Sequence, residues 1–427
     1  MADELAAVVL AAGIGTRMKS ATPKHLHQLL GRRMVDWVVA SARDAGVERI
    51  IVVVSPQTDH LLDAVEAVVQ EQPLGTGDAV RRARAALEDF NGDVLVLNGD
   101  VPALRPETIR ALVETHRAAG AAATVLSFEP ADAGAYGRIV RHGDGSLARI
   151  VEAADASPDE LALGEVNSGI YVFKAQQLWP ALDRLDAHNA QGELYVTDTL
   201  GLLVADGDSC AVQLADDPLE AEGVNTRVEL ALAAASLRDR INETHMLAGV
   251  TIVDPVTTWI EAGVEIEADV VVHPFSVIRT GVRIEGGAEI GPFAYIRPVS
   301  LVGEGAKIGT FVELKNAAVG AGAKIPHLSY IGDAEVGEGT NVAAGNITAN
   351  LSHVPGEPKG RTKIGRNVRT GVDTVFDAPV EIGDDVWIAA GTVITDDVAP
   401  GSLAGFPARQ TTKEGWVYDK HGKRDGD

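Results

Sequence analysis

Two rhythms of apolar positions divide the chain. Over the first half, short β-branched runs alternate with longer amphipathic stretches. Ala6–Leu10, Ile50–Val54, Val94–Leu97, Ala123–Phe128 and Gly169–Phe173 read as buried strands, and helical patterns such as Arg33–Ala45 and Pro106–Ala118 fall between them. This is the α/β rhythm of a mostly parallel sheet with helices on both faces. Residues Arg227–Leu247 then form one long helical pattern without Gly or Pro. It is predicted either to connect two domains or to pack as the last helix of the first, and both can hold.

The second half keeps a different period. Aliphatic residues recur every six positions at Ile260, Ile266, Val272, Ile278, Ile284, Ile290, Ile296, Val302, Ile308 and Leu314. An amphipathic helix has a period of 3.6, so this pattern is not helical. Six-residue spacing with small residues between predicts a β-solenoid, in which each short strand turns a corner and stacks on the coil before it. The phase shifts near Val319 and again at Val336, a loop interrupts at Ser352–Arg361, and the pattern resumes at Ile364, Ile382 and Ile388. The expected organisation is a first domain over 1–226, a connecting helix over 227–247, a solenoid over 248–416 and a polar, disordered tail over 417–427.

Charge and composition narrow the function. The formal net charge of −24 argues against an extended nucleic-acid surface, which needs a basic face. Cys210 is the only cysteine, so the chain can form neither an internal disulfide nor a thiolate zinc site. The start, MADELAAVVLAAG, is acidic rather than basic, and no apolar run is long enough to span a bilayer. The expectation is a cytoplasmic enzyme of small molecules.

The first strand runs into Leu10-Ala11-Ala12-Gly13-Ile14-Gly15-Thr16-Arg17-Met18, with Pro23-Lys24 shortly after. Glycines let backbone amides approach a phosphate closely. Arg17 and Lys24 add the cations that nucleotidyl transfer needs at the phosphorus under attack. Asn98-Gly99-Asp100 ends another apolar run, where a carboxylate suits a magnesium ion; a plain turn residue is the alternative for Asp100. Asn225, in Gly223-Val224-Asn225-Thr226, has the alternative of a neighbour to a helix cap.

The glycine-rich string closely resembles the signature of sugar-nucleotide pyrophosphorylases, and Gln72-Pro73-Leu74-Gly75-Thr76-Gly77 resembles their base-recognition segment. Tyr136-Gly137-Arg138, Ile150-Val151-Glu152, Glu165-Val166-Asn167-Ser168-Gly169 and Asn189–Tyr195 follow in the order seen in N-acetylglucosamine-1-phosphate uridylyltransferases. The resemblance implies a Rossmann-like nucleotidyltransferase domain. It implies nucleotide contacts at Leu10, Ala11, Ala12, Gly13, Gln72, Gly75, Thr76, Asn98 and Gly99, and catalytic Arg17 and Lys24. The sugar phosphate would lie at Gly137, Glu152, Asn167 and Asn225, and Mg²⁺ on Asp100 and Asn225. Where the family has His after Gly-Thr-Gly, this chain has Asp78.

The solenoid, read alone, is either a scaffold or an acyltransferase. Lys324–Asp333, with the strings Tyr295-Ile296-Arg297-Pro298 and Phe311–Asn316, resembles the glucosamine-1-phosphate acetyltransferases that form the second half of the same bifunctional family. The resemblance implies a left-handed parallel β-helix and a homotrimer, with His327 as catalytic base. Glu313 could orient that imidazole. The sugar phosphate would meet Arg297, Lys315, Tyr330 and Asn341, and acetyl-CoA would meet Ala344, Asn350, Ala390 and Arg409. On the donor side the family's Asn-Tyr-Asp-Gly is Asn350-Leu351-Ser352-His353 here, and a Ser before Asp373 is Val372. The solenoid before Arg297 is about two coils short of the family's length. The implied chemistry is acetyl transfer from acetyl-CoA to glucosamine-1-phosphate, then coupling of the product to UTP. The rival is a uridylyltransferase whose solenoid only holds three copies together.

Overall fold

The computed structural model describes residues 4–13, 15–58, 66–143, 145–352, 354, 356–405 and 411–421. They form two compact units, 1–237 and 238–427, and the division falls inside one helix.

The first unit is built on a nine-stranded sheet. Its strands are β1 (Leu5–Ala11), β2 (Arg49–Val54), β3 (Glu66–Val69), β4 (Asp93–Asn98), β5 (Ala123–Phe128), β6 (Arg138–Arg141), β7 (Leu147–Val151), β8 (Val166–Lys174) and β9 (Cys210–Leu214). The order is β9-β5-β8-β4-β1-β2-β3, with the β6–β7 hairpin attached through β8. All pairings are parallel except those of β8 with β4, β5 and β6 and that of β6 with β7. Successive β1 residues explain the continuous apolar run: Ala6 and Val8 join one core, while Ala7 and Val9 join the other. Helices α1 (Met34–Asp44) and α3 (Pro106–Ala119) cover the second of these faces. α2 (Thr76–Arg82), α5 (Ala175–Asp183) and α6 (Thr197–Ala205) cover the first, and α4 is a single turn at Pro158–Leu161.

Helix α7 spans Arg227–Leu247, as the sequence predicts. Its start is set by reciprocal bonds: Glu229 N–H donates to Thr226 Oγ1 at 3.2 Å, and Thr226 N–H donates to the Glu229 carboxylate at 2.9 Å. This fixes Asn225 just outside the helix.

The second unit is a parallel β-helix. Trp259 pairs with Val277, Val277 with Tyr295 and Tyr295 with Glu313, a step of 18 residues per coil. Two coils are one residue shorter, since Glu313 pairs with Tyr330 and Tyr330 with Ile347. These are the phase shifts visible in the sequence. Across the Ser352–Arg361 loop the step is 28 residues, from Ile347 to Val375, and the next returns to 18. Nine of the ten period-six residues are buried and Ile266 is half-buried, all in one continuous core. Truncating any of the buried aliphatics to Ala costs about 2–5 kcal/mol.

Within the expected disordered tail, residues 417–421 belong instead to a short helix, α8 (Trp416–His421), and residues 422–427 lie outside the described residues. Gly415 and Gly422 bracket six residues free of Gly and Pro, so no helix breaker interrupts this stretch.

Candidate active sites

In the first unit, β1 and β4 lie side by side with Leu10 opposite Asn98, and Gly99 N–H bonds Leu10 O at 2.9 Å. Their C-terminal ends, where open α/β sheets bind ligands, border a cleft of about 280 Å³. Leu10, Ala11, Ala12, Gly13, Lys24, Gly75, Thr76, Asn98, Gly99 and Asp100 all line it. A larger cavity of about 520 Å³ opens at the opposite edge, beside Leu5 and Arg49 at the strand starts, away from these groups.

Gln72 does not line the cleft; it is exposed in the turn after β3. Gln70, two residues earlier, lines the cleft instead and is buried. Sequence reading picked the glutamine nearer Gly75. The signal it missed is that Gln70 extends β3, its N–H bonding Val54 O at 2.8 Å.

Four predicted residues converge at the cleft mouth. Lys24 Nζ pairs with Asp100 Oδ2 and donates to Asn225 Oδ1 at 2.8 Å, and Arg17 donates to the same oxygen at 2.9 Å. Gly15 makes this possible: its φ is +70°, and a Cβ there would lie 2.4 Å from the Lys24 Cβ. Asp100 Oδ1 is buried with no hydrogen-bond partner among the described residues. Val224 N–H bonds Asp100 O, and Tyr136 OH accepts from Gly223 N–H at 3.1 Å, which ties the Asn225 segment to the sheet. His25 is buried beside Lys24, and burial, aided by the Lys24 charge, pushes its pKa down to about 4.

The structure also joins Gly137, Glu152 and Asn167. Asn167 N–H bonds Gly137 O at 2.8 Å, and Gly137 abuts the Glu152 carboxylate. Thr197 Oγ1 donates to Glu152 at 3.0 Å, a contact the sequence did not announce. Burial raises the Glu152 pKa, with Asp198 and Asp155 adding to the effect against the Thr197 bond.

In the second unit, Arg297 donates to Glu313 at 2.9 Å, so Glu313 serves the guanidinium and makes no hydrogen bond to His327. The Arg297 guanidinium also lies 5.9 Å from the Tyr295 ring centre. Tyr330 stands next to Glu313 in the ladder, and Asn350 donates to its hydroxyl at 3.4 Å and to Asp333. Asn350, expected on the acyl donor, is therefore buried among these groups. Lys359, carried by the Ser352–Arg361 loop, stands beside Lys315; that contact pushes its pKa down, against Asp333 and Tyr330. Sequence reading missed Lys359, because a loop has no period to flag it.

His327 and Asn341 lie on a different strand ladder. His327 sits on Lys324–His327, opposite Thr310, and Asn341 bridges Lys324 and Arg369. Among the described residues, no hydrogen bond links either side chain to Arg297, Lys315 or Tyr330. The bridges Lys324–Asn341, Asn341–Arg369 and Arg369–Trp387 set the coil register, and three residues along each coil stand His327, Ala344, Val372 and Ala390 in one column. Arg409 lies outside the described residues.

Comparison with known proteins decides the family. Residues 7–198 match the MobA-like NTP transferase domain. Bifunctional protein GlmU of Corynebacterium aurimucosum is 44% identical, covering 97% of this chain and 94% of the relative. GlmU of Streptomyces coelicolor is 45% identical over 97% and 94%, and that of Mycobacterium tuberculosis is 42% identical over 98% and 93%. This chain belongs to the bifunctional GlmU family. It is an enzyme of UDP-N-acetylglucosamine synthesis, with a uridylyltransferase and a glucosamine-1-phosphate acetyltransferase activity. No helix among the described residues is long and apolar enough to cross a membrane.

Proposed function

We propose that the two units divide this work. The first transfers uridylyl from UTP to N-acetylglucosamine-1-phosphate and releases pyrophosphate; the second acetylates glucosamine-1-phosphate. The observation that carries the nucleotidyl assignment is the convergence of Arg17, Lys24, Asp100 and Asn225 at the mouth of a cleft between β1 and β4. Glycine-rich backbone at Leu10–Gly13 would take the phosphates, and Gly137, Glu152, Asn167 and Asn225 the sugar phosphate.

Magnesium fits this site. Asp100 Oδ2 and Asn225 Oδ1 already share one cation, the Lys24 ammonium, and Asp100 Oδ1 is buried without a partner among the described residues. With one carboxylate and one amide oxygen, the remaining ligands would come from phosphate and water, as magnesium commonly has them. Bound there, it would neutralise charge on the phosphates. The chain's own part is to hold the sugar phosphate in line and to place Arg17 and Lys24 on the phosphate oxygens.

For acetyl transfer, Arg297, Lys315 and Lys359 would grip the phosphate, and Tyr330 and Asn341 the sugar. His327 would take the proton that the amine sheds on attacking the thioester. Acetyl-CoA would lie along the column from His327 through Ala344 and Val372 to Ala390, about 14 Å at the usual strand spacing, with Asn350 and Arg409 as further contacts. A homotrimer accounts for two facts. The sugar-side groups and His327 occupy different ladders, and Phe275, Phe293 and Phe311 stack at 4.9 and 5.1 Å while 44–57% exposed beside the His327 corner. A cytoplasmic location follows from the substrates.

The test is Asp100→Ala, assayed for both half-reactions. Pyrophosphate release should vanish while thiol release from acetyl-CoA continues. Loss of both in a folded protein would refute the division of labour.

A further inference from the structure

The residue that departs from the family in the base segment is wired to the cleft. Asp78, in the first turn of α2, is fully buried. Gln70 donates its side-chain amide to Asp78 Oδ2 at 3.0 Å and to Gly75 O at 3.1 Å. Arg81 and Arg82 pair with the same carboxylate at 2.9 and 3.3 Å. Burial alone would raise the Asp78 pKa, but the bonds from Gln70, Arg81 and Arg82 win and hold it below the ordinary aspartate value. The side chain is thus an ionised, acceptor-only group.

This settles the orientation of the Gln70 amide. A glutamine can usually turn its oxygen and nitrogen either way. Here both partners, a carboxylate and a peptide carbonyl, accept only, so the NH₂ must face them. The Gln70 oxygen has no donor among the described residues, and Gln70 lines the cleft.

We propose that Asp78 is a positioning residue for nucleotide selection: by locking Gln70 with its oxygen toward the cleft, it favours a pyrimidine that carries a proton on N3. Uracil has that N–H. Cytosine has a lone pair at N3 and would meet the Gln70 oxygen with two acceptors face to face. A misplaced buried polar pair of this kind costs a factor of about 10–100 in discrimination. The proposal rests on the uridylyltransferase reading, and it assigns the UTP preference to an aspartate that itself need not touch the base.

The test is kcat/KM for UTP and for CTP in the wild type, Asp78→Asn and Asp78→Ser, each checked for folding by circular dichroism. Asn and Ser can donate as well as accept, so Gly75 O alone still opposes the turned Gln70 amide and the second orientation becomes accessible. The ratio of UTP to CTP should fall about tenfold, with UTP losing and CTP holding or gaining. Equal losses for both nucleotides, or an unchanged ratio, would overturn the proposal, since a merely structural role moves both alike. If Asp78→Asn does not fold, Asp78→Ser asks the same question. If the wild type turns over neither nucleotide, the uridylyltransferase reading fails instead, and calorimetric binding of UTP against CTP to the same proteins still decides whether the lock exists.

Discussion

Lys24 donates a 2.8 Å hydrogen bond to the amide oxygen of Asn225 while its ammonium also pairs with Asp100. A protein cation thus sits on both oxygens assigned to magnesium. Lys24→Gln should bind Mn²⁺ more tightly than the wild type in the absence of nucleotide, read by electron paramagnetic resonance. The same change should lower uridylyl transfer about 10²–10³-fold through loss of charge stabilisation. Weaker Mn²⁺ binding in the variant would contradict the overlap.

His25 makes stability sensitive to acid. Its pKa is about 4 in the folded chain against an ordinary 6.5, so the unfolded chain takes up a proton that the folded chain refuses between these values. A depressed histidine therefore contributes stability above pH 6.5 that is lost as pH falls toward 4. Between pH 7 and pH 5 the wild type should lose on the order of 2 kcal/mol more than His25→Gln. Thermal unfolding of both proteins at the two pH values measures it; parallel losses would count against it.

Assembly is checked by light scattering. A homotrimer should give about three times the 44.7 kDa chain mass. Phe293→Asp, which puts a charge in the middle of the exposed Phe275–Phe293–Phe311 stack, should lower that mass. A wild-type monomer with full acetyl transfer would refute the trimer.

The two architectures were legible because each has its own period. Strands buried on both sides read as unbroken aliphatic runs, and the coil of 18 residues shows as an inward aliphatic every sixth position, down to the single-residue deletions at Val319 and Val336. Side-chain partnerships were not legible. Nothing in Gln70-Glu71-Gln72 says which glutamine turns inward until β3 is paired with β2. Glu313 was as good a partner for His327 as for Arg297 until the coil register put His327 on another ladder. Thr197 meets Glu152, and Lys359 meets Lys315, only through the fold.

If one chain carries two separate transferase sites, His327→Ala parts their activities. Thiol release from acetyl-CoA with glucosamine-1-phosphate is measured beside pyrophosphate release from UTP with N-acetylglucosamine-1-phosphate. Loss of a general base should slow the first by about 10²–10⁴ and leave the second unchanged. An unchanged rate of thiol release, or a wild type that releases no thiol, would contradict two separate sites and leave the β-helix as a scaffold.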